Sequence, residues 1–246
     1  MLKTLKIDFQ IIFDRDPAAR NWLEVLVCYP GLQAILLHRL AHWLFVLGLP
    51  FVPRLISHLS RFLTGIEIHP GAQLGEGVFI DHGMGIVIGE TAIVGDFSLI
   101  YQGVTLGGTG KETGKRHPTV GEYVVIGAGA KVLGNIQLGN NVRVGAGSVV
   151  LRDVPSDCTV VGVPGRIVYR GSATSDPLDH ARLPDSEADA IRYLMDRIES
   201  LEQEVQDLKQ VSSRSEQSIS EVSECCHLRD KAIEQFLDGT LIAKKG

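Results

Sequence analysis

The sequence predicts a parallel β-helix built from six-residue repeats, with helical segments before and after it. An apolar or small residue returns at every sixth position in two runs: Ile68, Leu74, Ile80, Ile86, Ala92, Ser98 and Val104, then Val120, Ile126, Val132, Leu138, Val144 and Val150. Neither an α-helix nor an ordinary strand has a period of six. A hexapeptide β-helix does, with one short strand per face and three faces per coil, and thirteen repeats correspond to about four coils.

The first 64 residues are predicted to form a small helical domain. Apolar side chains recur on one face of a helical pattern, at Leu32, Ile35, Leu36, Leu40, Trp43, Leu44 and Leu47. The most apolar stretch, residues 43–52, is interrupted by Gly48 and Pro50. It is too short to cross a bilayer, so we expect no membrane span.

The β-helix is predicted over residues 65–170, with one inserted loop at 107–118. Val104 and Val120 are sixteen residues apart, so ten residues beyond one repeat must leave the coil. The loop is rich in glycine and carries Lys111, Lys115, Arg116 and His117. Function tends to lie on loops held by a rigid scaffold, so we expect this loop to project toward a substrate.

Residues 171–184 are predicted to be a linker, and residues 185–246 an acidic helical tail. The chain up to residue 170 is nearly neutral, whereas the remainder holds nine Lys and Arg against sixteen Asp and Glu. Apolar residues alternate steps of three and four, at Ile191, Leu194, Ile198, Leu201, Val205 and Leu208. A trimeric coiled coil over 188–211 and an amphipathic helix folded back on the body both fit this pattern.

Composition excludes several classes of function. The four cysteines, including the adjacent Cys225 and Cys226, show no metal-ligand spacing and no disulfide framework. A reducing, cytoplasmic setting is therefore expected, and the N-terminus has no signal-peptide pattern. Neither half of the chain has the basic stripe that nucleic-acid binding needs.

Three histidines, His69, His82 and His117, lie within the predicted coil, with Glu67 and Asp81 nearby. Glu67 and His82 are fifteen residues apart, slightly less than one coil, so we expect them to stack within hydrogen-bond reach. A carboxylate that holds an imidazole raises its basicity and fixes its tautomer, which activates a hydroxyl for attack. No serine of the chain has an evident nucleophile context, so we expect the substrate to supply the hydroxyl. A hydrogen-bonded wall residue is the alternative for each histidine.

Family-specific motifs run through the first 170 residues. They comprise Ile68-His69-Pro70-Gly71-Ala72, the segments 80–92, 104–111 and 126–135, Arg116-His117-Pro118, and shorter matches at 14–18 and 42–44. On these motifs the sequence resembles the serine acetyltransferases over about residues 8–170. The resemblance implies a left-handed parallel β-helix, trimers with active sites between neighbouring subunits, and acetyl transfer from acetyl-CoA to L-serine in cysteine biosynthesis.

The resemblance also implies roles for individual residues. His82 matches the general base that deprotonates the serine hydroxyl, and Glu67 stands where the family often has an aspartate as its partner. Arg116 and His117 match the residues that hold the substrate carboxylate, and Asp16 and Asp81 those that take its ammonium group. Such opposite charges favour a zwitterionic amino acid over a sugar.

The resemblance further implies a coenzyme A surface, an inhibitor and an assembly. Coenzyme A is expected against small residues, at Gly108, Thr109, Gly127, Ala128 and Ala146; no metal is expected. Cysteine, which occupies the serine site in the family, is expected to inhibit. The short N-terminal segment favours a trimer over a dimer of trimers. The long forms bind O-acetylserine sulfhydrylase through a C-terminal isoleucine, which this sequence lacks, so that complex is not expected.

Three other functions fit parts of the sequence. A hexapeptide O-acetyltransferase for another hydroxyl would share His82 but has less reason to keep Asp16 and the Arg116-His117 pair. A zinc carbonic anhydrase needs a third histidine ligand, yet positions 87 and 122 are valine and glutamate. A non-enzymatic trimeric scaffold would use the tail as its working part.

Overall fold

A computed structural model describes residues 2–111, 113–170, 186–212 and 233–234. The chain divides into two compact units, Met1–Pro184 and Asp185–Gly246. The first contains helices α1 (Leu2–Arg15), α2 (Trp22–Cys28), α3 (Pro30–Val46) and α4 (Val52–Thr64), followed by fifteen strands; the second contains helix α5 (Ser186–Ser212).

The fifteen strands form a parallel β-helix of about five coils, which confirms the predicted fold and adds about one coil to the expected number. The strands are β1 (Glu67–Ile68), β2 (Gln73–Leu74), β3 (Phe79–Asp81), β4 (Val87–Ile88), β5 (Ile93–Val94), β6 (Leu99–Tyr101), β7 (Thr105–Gly107), β8 (Thr119–Val120), β9 (Val125–Ile126), β10 (Lys131–Leu133), β11 (Gln137–Leu138), β12 (Arg143–Val144), β13 (Val149–Val150), β14 (Cys158–Val161) and β15 (Arg166–Arg170).

Three sheets make the faces of the coil. The first sheet has the order β1-β4-β7-β10-β13, the second β11-β8-β5-β2, and the third β15-β14-β12-β9-β6-β3. Neighbouring strands are parallel throughout, except that β15 turns back antiparallel against β14. The chain therefore passes from the third sheet to the first, and from the first to the second, at corners that stack from coil to coil.

The six-residue repeat shifts by two residues between β3 and β4, a break that the sequence analysis did not predict. Ile68 pairs with Ile88, twenty residues later, rather than with Ile86. The strands then continue through Val94, Ile100 and Leu106. The residues of the predicted run after Ile80 lie instead at buried corner positions, two residues earlier: Ile86, Ala92, Ser98 and Val104. The strand position and the corner position two residues before it are both buried, so apolar or small residues recur every six residues at each of them.

The second break is the inserted loop between β7 and β8. Counted from Leu106 to Val120, it adds eight residues beyond one repeat rather than ten. Paired strands are therefore twenty residues apart where the chain between them includes the His82 turn, and twenty-six where it includes the loop. They are eighteen apart where it includes neither, as for β4 with β7 and for the later coils.

The N-terminal helices are fastened to the coil by packing and by a buried ion pair. Ile12, Val25 and Leu32 pack against Phe79 and Leu99 of the third sheet. Asp8 is fully buried, and Arg39 bonds to both of its carboxylate oxygens at 2.6 and 2.9 Å. Arg39 also donates to the backbone carbonyl of Gly75 at 2.7 Å, so the pair joins α1, α3 and the first coil.

Helix α4 turns its polar side inward. Its buried side chains are small and include Ser57, Ser60 and Thr64, and the Ser57 hydroxyl donates to the Ile68 carbonyl at 2.6 Å. Its large apolar side chains are exposed, at Leu55, Leu59, Phe62 and Leu63. A single chain thus presents an apolar helix face to solvent.

Helix α5 carries the predicted coiled-coil seam. Its apolar side chains are exposed in the single chain, at Leu194, Ile198, Leu201, Val205 and Leu208, and their association in a trimer stays a prediction. The linker 171–184, Cys225 and Cys226 lie outside the described residues. No single helix of the described residues could span a membrane by length and hydropathy; the bent pair α2–α3 passes that test.

Candidate active site

His82 lies on a tight turn where the repeat shifts. The Gly83 N–H donates to the Asp81 carbonyl at 2.7 Å across His82, whose φ is +57°. A positive φ is uncommon for a residue other than glycine, and Phe97, Tyr123, Asn141 and Asp157 share it at other turns. The ring is 76% exposed, and its Nε2 lies 4.0 Å from Oδ1 of Asp81. We call residues 81–85 the His82 corner.

The start of α3 connects Asp16 to the His82 corner through Tyr29. A Cβ on Gly31, at the start of α3, would lie 2.1 Å from the Ile80 carbonyl oxygen, so only glycine allows this approach. Tyr29, just before α3, donates its hydroxyl to Asp16 at 2.6 Å. Burial raises the pKa of Tyr29, and Asp16 and Asp81 raise it further. Both predicted ammonium-binding carboxylates therefore lie near the Tyr29 hydroxyl, a group that the sequence analysis did not single out.

Glu67 is engaged by Arg61 rather than by His82. Arg61 Nη1 donates to Glu67 Oε2 at 3.1 Å, and both side chains are partly exposed. The shifted repeat explains the difference, because Glu67 pairs in register with Val87, five residues after His82. The expected stacking of Glu67 on His82 does not occur in the single chain.

His117 packs back onto the coil instead of projecting from it. The residue is 8% exposed, and a Cβ on Gly89 would lie 2.0 Å from its ring. On the loop side, Nε2 of His117 lies 3.1 Å from where a Cβ on Gly108 would be. The ring thus fits between two glycines, one from the coil and one from the inserted loop.

The protonation of His117 is set by Thr91. The Thr91 N–H donates to His117 Nδ1 at 3.2 Å, and the Thr91 hydroxyl lies 2.9 Å from the same nitrogen. A backbone N–H can only donate, so Nδ1 accepts and the neutral ring carries its proton on Nε2. Burial lowers the pKa of His117, and Arg116 lowers it further, which favours the neutral ring.

Arg116 forms an ion pair with Glu90. Its Nη2 lies 2.5 Å from Glu90 Oε2, with the arginine side chain 27% exposed. This hydrogen bond holds the pKa of Glu90 below its usual range. One arm of the guanidinium is thus occupied, while a planar guanidinium has further donors for a second carboxylate. We call residues 89–91 with 115–117 the Arg116 corner.

A line of histidines connects α3 to the coil beside the Arg116 corner. His38 is buried, and its ring lies 5.7 Å from that of His42. His42 Nδ1 lies 2.8 Å from the Pro70 carbonyl, and His69 Nδ1 accepts from the Gly71 N–H at 2.9 Å. Burial lowers the pKa of His69. His69 is thus a wall residue bonded to its own turn, as one of the two readings of the sequence allowed.

The residues predicted to contact coenzyme A divide between the two corners. Gly127, Ala128 and Ala146 lie on successive coils below the His82 corner, where the Gly147 N–H donates to the Ala128 carbonyl at 2.8 Å. Space is open beside Gly129 and Gly147, so an extended chain fits along this edge. Gly108 and Thr109 lie beside the Arg116 corner instead.

The structure therefore splits the predicted site into two halves. Asp16, Asp81 and His82 lie at the corner that precedes β4, while Arg116 and His117 lie at the corner that follows it. The two corners are the opposite edges of the first sheet. Within the described residues no cluster of histidine, cysteine or carboxylate groups could hold a metal ion.

Curated proteins similar to this chain are serine acetyltransferases. A family model described as bacterial transferase hexapeptide (six repeats) matches residues 117–152. The serine acetyltransferase of Synechococcus elongatus is 67% identical over 241 residues, which cover 97% of this chain and 99% of that protein. That of Synechocystis sp. is 68% identical over 249 residues, covering 98% and 100%. The chain belongs to the serine acetyltransferase family.

Solved serine acetyltransferases share its fold. The Neisseria gonorrhoeae enzyme in complex with serine has a TM-score of 0.66 and 43% identity, covering 68% of this chain and 69% of that one. The Brucella abortus enzyme in complex with coenzyme A gives 0.67 and 47%, covering 69% and 68%. A serine acetyltransferase complex with cysteine gives 0.71 and 41%, covering 74% and 71%. The predicted family and its acyltransferase activity with acetyl-CoA are thereby confirmed.

Sequence reasoning missed three residues of the candidate site, Tyr29, Glu90 and Thr91. Glu90 and Thr91 stand in a quoted motif, but their contacts run to residues twenty-four to twenty-six positions later. This separation in sequence matches the coil enlarged by the inserted loop and is not that of a regular coil of eighteen residues. The inserted loop, which lengthens a coil from eighteen to twenty-six residues, is the signal that could have predicted these contacts.

Proposed function

We propose that this serine acetyltransferase binds L-serine between two chains, with His82 as the general base. The observation that carries the proposal is that Asp81, next to His82, and Asp16 both lie near the Tyr29 hydroxyl, at an edge that continues into the small residues Ala128 and Ala146. The serine ammonium group binds Asp16 and Asp81, and the acetyl-CoA chain lies along the edge below them.

The reaction follows from the placing of these groups. His82 removes the proton of the serine hydroxyl as its oxygen attacks the thioester carbonyl carbon; a free hydroxyl is too weakly acidic to react without such help. The tetrahedral intermediate then expels the coenzyme A sulfur, which takes the proton from His82. Glu67 holds the imidazole in this proposal, which requires its carboxylate to turn from Arg61 toward His82.

Recognition of the serine carboxylate falls to Arg116 and His117. The neutral His117 donates from Nε2, and Arg116 donates from the guanidinium arm that Glu90 does not occupy. Because these residues lie across the first sheet from His82, we propose a homotrimer in which one chain supplies the His82 corner and its neighbour the Arg116 corner. An interface shared in this way is heterologous and closes into a ring.

Thiol release from acetyl-CoA, with and without serine, tests the chemistry. For His82→Ala we expect serine-dependent release to fall at least about a hundredfold, the scale of a lost general base. His58→Ala is the matched control, because His58 is an exposed histidine on α4. Release that does not depend on serine in the wild type, or that survives in His82→Ala, would contradict the proposal.

Mixing two inactive variants tests the shared site. His82→Ala and Arg116→Ala chains, unfolded and refolded together, should recover up to about a quarter of wild-type activity, the share of interfaces with two intact corners after random association. Each variant refolded alone is the control. Failure of the mixture to exceed the controls, while a mass of three chains is measured, would place both corners in one chain's site.

The same site accounts for two further proposals. Cysteine differs from serine by a thiol and carries the same charges, so we propose that it inhibits in competition with serine. We place the enzyme in the cytoplasm, because Cys28 and Cys158 of the described residues are both free thiols, as a reducing compartment allows.

A scaffold function for the tail is tested by truncation. A chain of residues 1–170 that keeps full serine-dependent turnover shows that the tail is accessory to catalysis. Loss of turnover together with loss of the trimer would instead make the tail part of the assembly.

A further inference from the structure

We propose that Thr91 is a positioning residue for the substrate carboxylate, acting through Arg116 and His117. The proposal rests on the proposed function, in which those two side chains bind the serine carboxylate. Thr91 lies three residues after β4, at the corner that the inserted loop later rejoins.

Every polar group of Thr91 is bonded to the end of the inserted loop. Its N–H donates to His117 Nδ1 at 3.2 Å, and its carbonyl accepts from Lys115 Nζ at 2.6 Å. Its hydroxyl oxygen accepts the backbone N–H groups of Arg116 and His117, both at 3.1 Å. One residue of the coil therefore holds three consecutive residues of the loop.

An apolar side chain of the same shape cannot replace the hydrogen bonds of the Thr91 hydroxyl. Its two lone pairs take the two backbone N–H groups, and its hydrogen is directed to His117 Nδ1, 2.9 Å away. Loss of the hydroxyl leaves two part-buried N–H groups without their acceptor, which costs far more than the loss of an average hydrogen bond. The loop end would then move to find new partners, and Arg116 and His117 would move with it.

The hydroxyl also keeps His117 ready to donate. With Nδ1 facing both the hydroxyl and the N–H of Thr91, the proton of the neutral ring stays on Nε2, which lies between Gly89 and Gly108. Without the hydroxyl, His117 Nδ1 keeps only the longer bond from the Thr91 N–H, at 3.2 Å, so the ring is held less firmly in the orientation that presents Nε2 to the carboxylate. Serine binding is therefore expected to suffer more than acetyl-CoA binding, because three of the five residues predicted to contact coenzyme A lie at the other edge of the sheet.

The test compares Thr91→Val, which has the same shape without the hydroxyl, with Thr91→Ser, which keeps it. Steady-state kinetics of the full chain should show the KM for serine raised at least about tenfold in Thr91→Val, from two unsatisfied N–H groups. The KM for acetyl-CoA should change by less than about threefold, since no direct contact with it is removed. Thr91→Ser should return both values to within about threefold of the wild type.

Two controls separate positioning from simple destabilisation. Thr113→Val makes the same change at an exposed position of the same loop and should leave both KM values unchanged. Thr91→Ala also lacks the hydroxyl, without the bulk of valine, and should raise the serine KM as Thr91→Val does. Circular dichroism and the mass of the oligomer establish that each variant is folded.

The outcomes are distinct. An unchanged serine KM in folded Thr91→Val or Thr91→Ala overturns the role of Thr91, as does an equal rise in the KM values of both substrates. A serine KM that Thr91→Ser fails to restore also overturns it, because the hydroxyl is then not the cause. Absence of serine-dependent turnover in the wild type refutes the proposed function instead.

Discussion

Replacing His38 with leucine should make the protein more resistant to mild acid. His38 is 4% exposed, and burial, helped by His42 and Arg39, lowers its pKa to about 3. Its Nδ1 has no hydrogen-bond partner among the described residues. The folded protein therefore holds this ring neutral over a range in which the unfolded chain protonates it.

The magnitude follows from proton linkage. Because the pKa is lowered on folding, the unfolded state binds more protons between about pH 6.5 and pH 3, so stability falls as the pH drops through this range. Each pH unit costs about 1.4 kcal/mol, which gives about 2 kcal/mol at pH 5. For a chain of this size that corresponds to a fall in Tm of roughly 4–8 °C. Above about pH 6.5 the effect is absent.

The assay is thermal unfolding followed by circular dichroism at pH 7.5, 6 and 5, at one protein concentration. Other groups also titrate here, His69 among them, so the informative quantity is the difference between wild type and variant. His38→Leu should lose about 4–8 °C less than the wild type between pH 7.5 and pH 5. His38→Gln, which keeps a polar group beside Ala72, should behave in the same way. Equal losses in wild type and both variants would refute the reasoning.

Two further predictions concern the attachment of the helices to the coil. Gly31→Ala places a methyl group 2.1 Å from the Ile80 carbonyl oxygen, so the start of α3 must move together with Tyr29, whose hydroxyl holds Asp16. We expect a raised serine KM with a nearly unchanged KM for acetyl-CoA, and equal changes in both would count against this. Asp8→Ala leaves the Arg39 guanidinium without its buried partner and should lower the free energy of unfolding by about 3–5 kcal/mol, measured by urea unfolding. A loss below about 1 kcal/mol would show that the pair behaves as a surface salt bridge.

The fold was predictable because a period of six belongs to few structures. Which residues of the repeat lie on strands was not predictable, because two buried positions in each repeat share the period of six. Ile80 lies on a strand and Ile86 at a corner, and both are buried. The shift between them is marked only by the glycines around His82. A search for changes of phase, rather than of period, would have found it.

The site was predictable in its residues more than in its contacts. Asp81, His82, Arg116 and His117 were singled out by the repeat and its inserted loop, whereas Asp16 and the role of each residue came from a family resemblance, which carries no distances. In the structure Arg116 pairs with Glu90, and His117 with Thr91. The coil that separates them is longer than the six-residue repeat predicts. Contacts between distant parts of the sequence depend on stacking, and stacking depends on every insertion in between.

Strand β15 bears on how copies of the molecule can associate. The last coil of a parallel β-helix offers unpaired backbone groups, on which the first coil of another molecule could add and start a fibre. Because β15 runs antiparallel along β14, with a shift in register between Thr159 and Val160, a parallel strand finds that edge of the third sheet occupied. At the other end, α1, α3 and α4 pack against β1 and β3. End-to-end polymerisation along the third sheet is thus blocked, and contact between copies is directed to the sides of the coil, where a small closed ring can form.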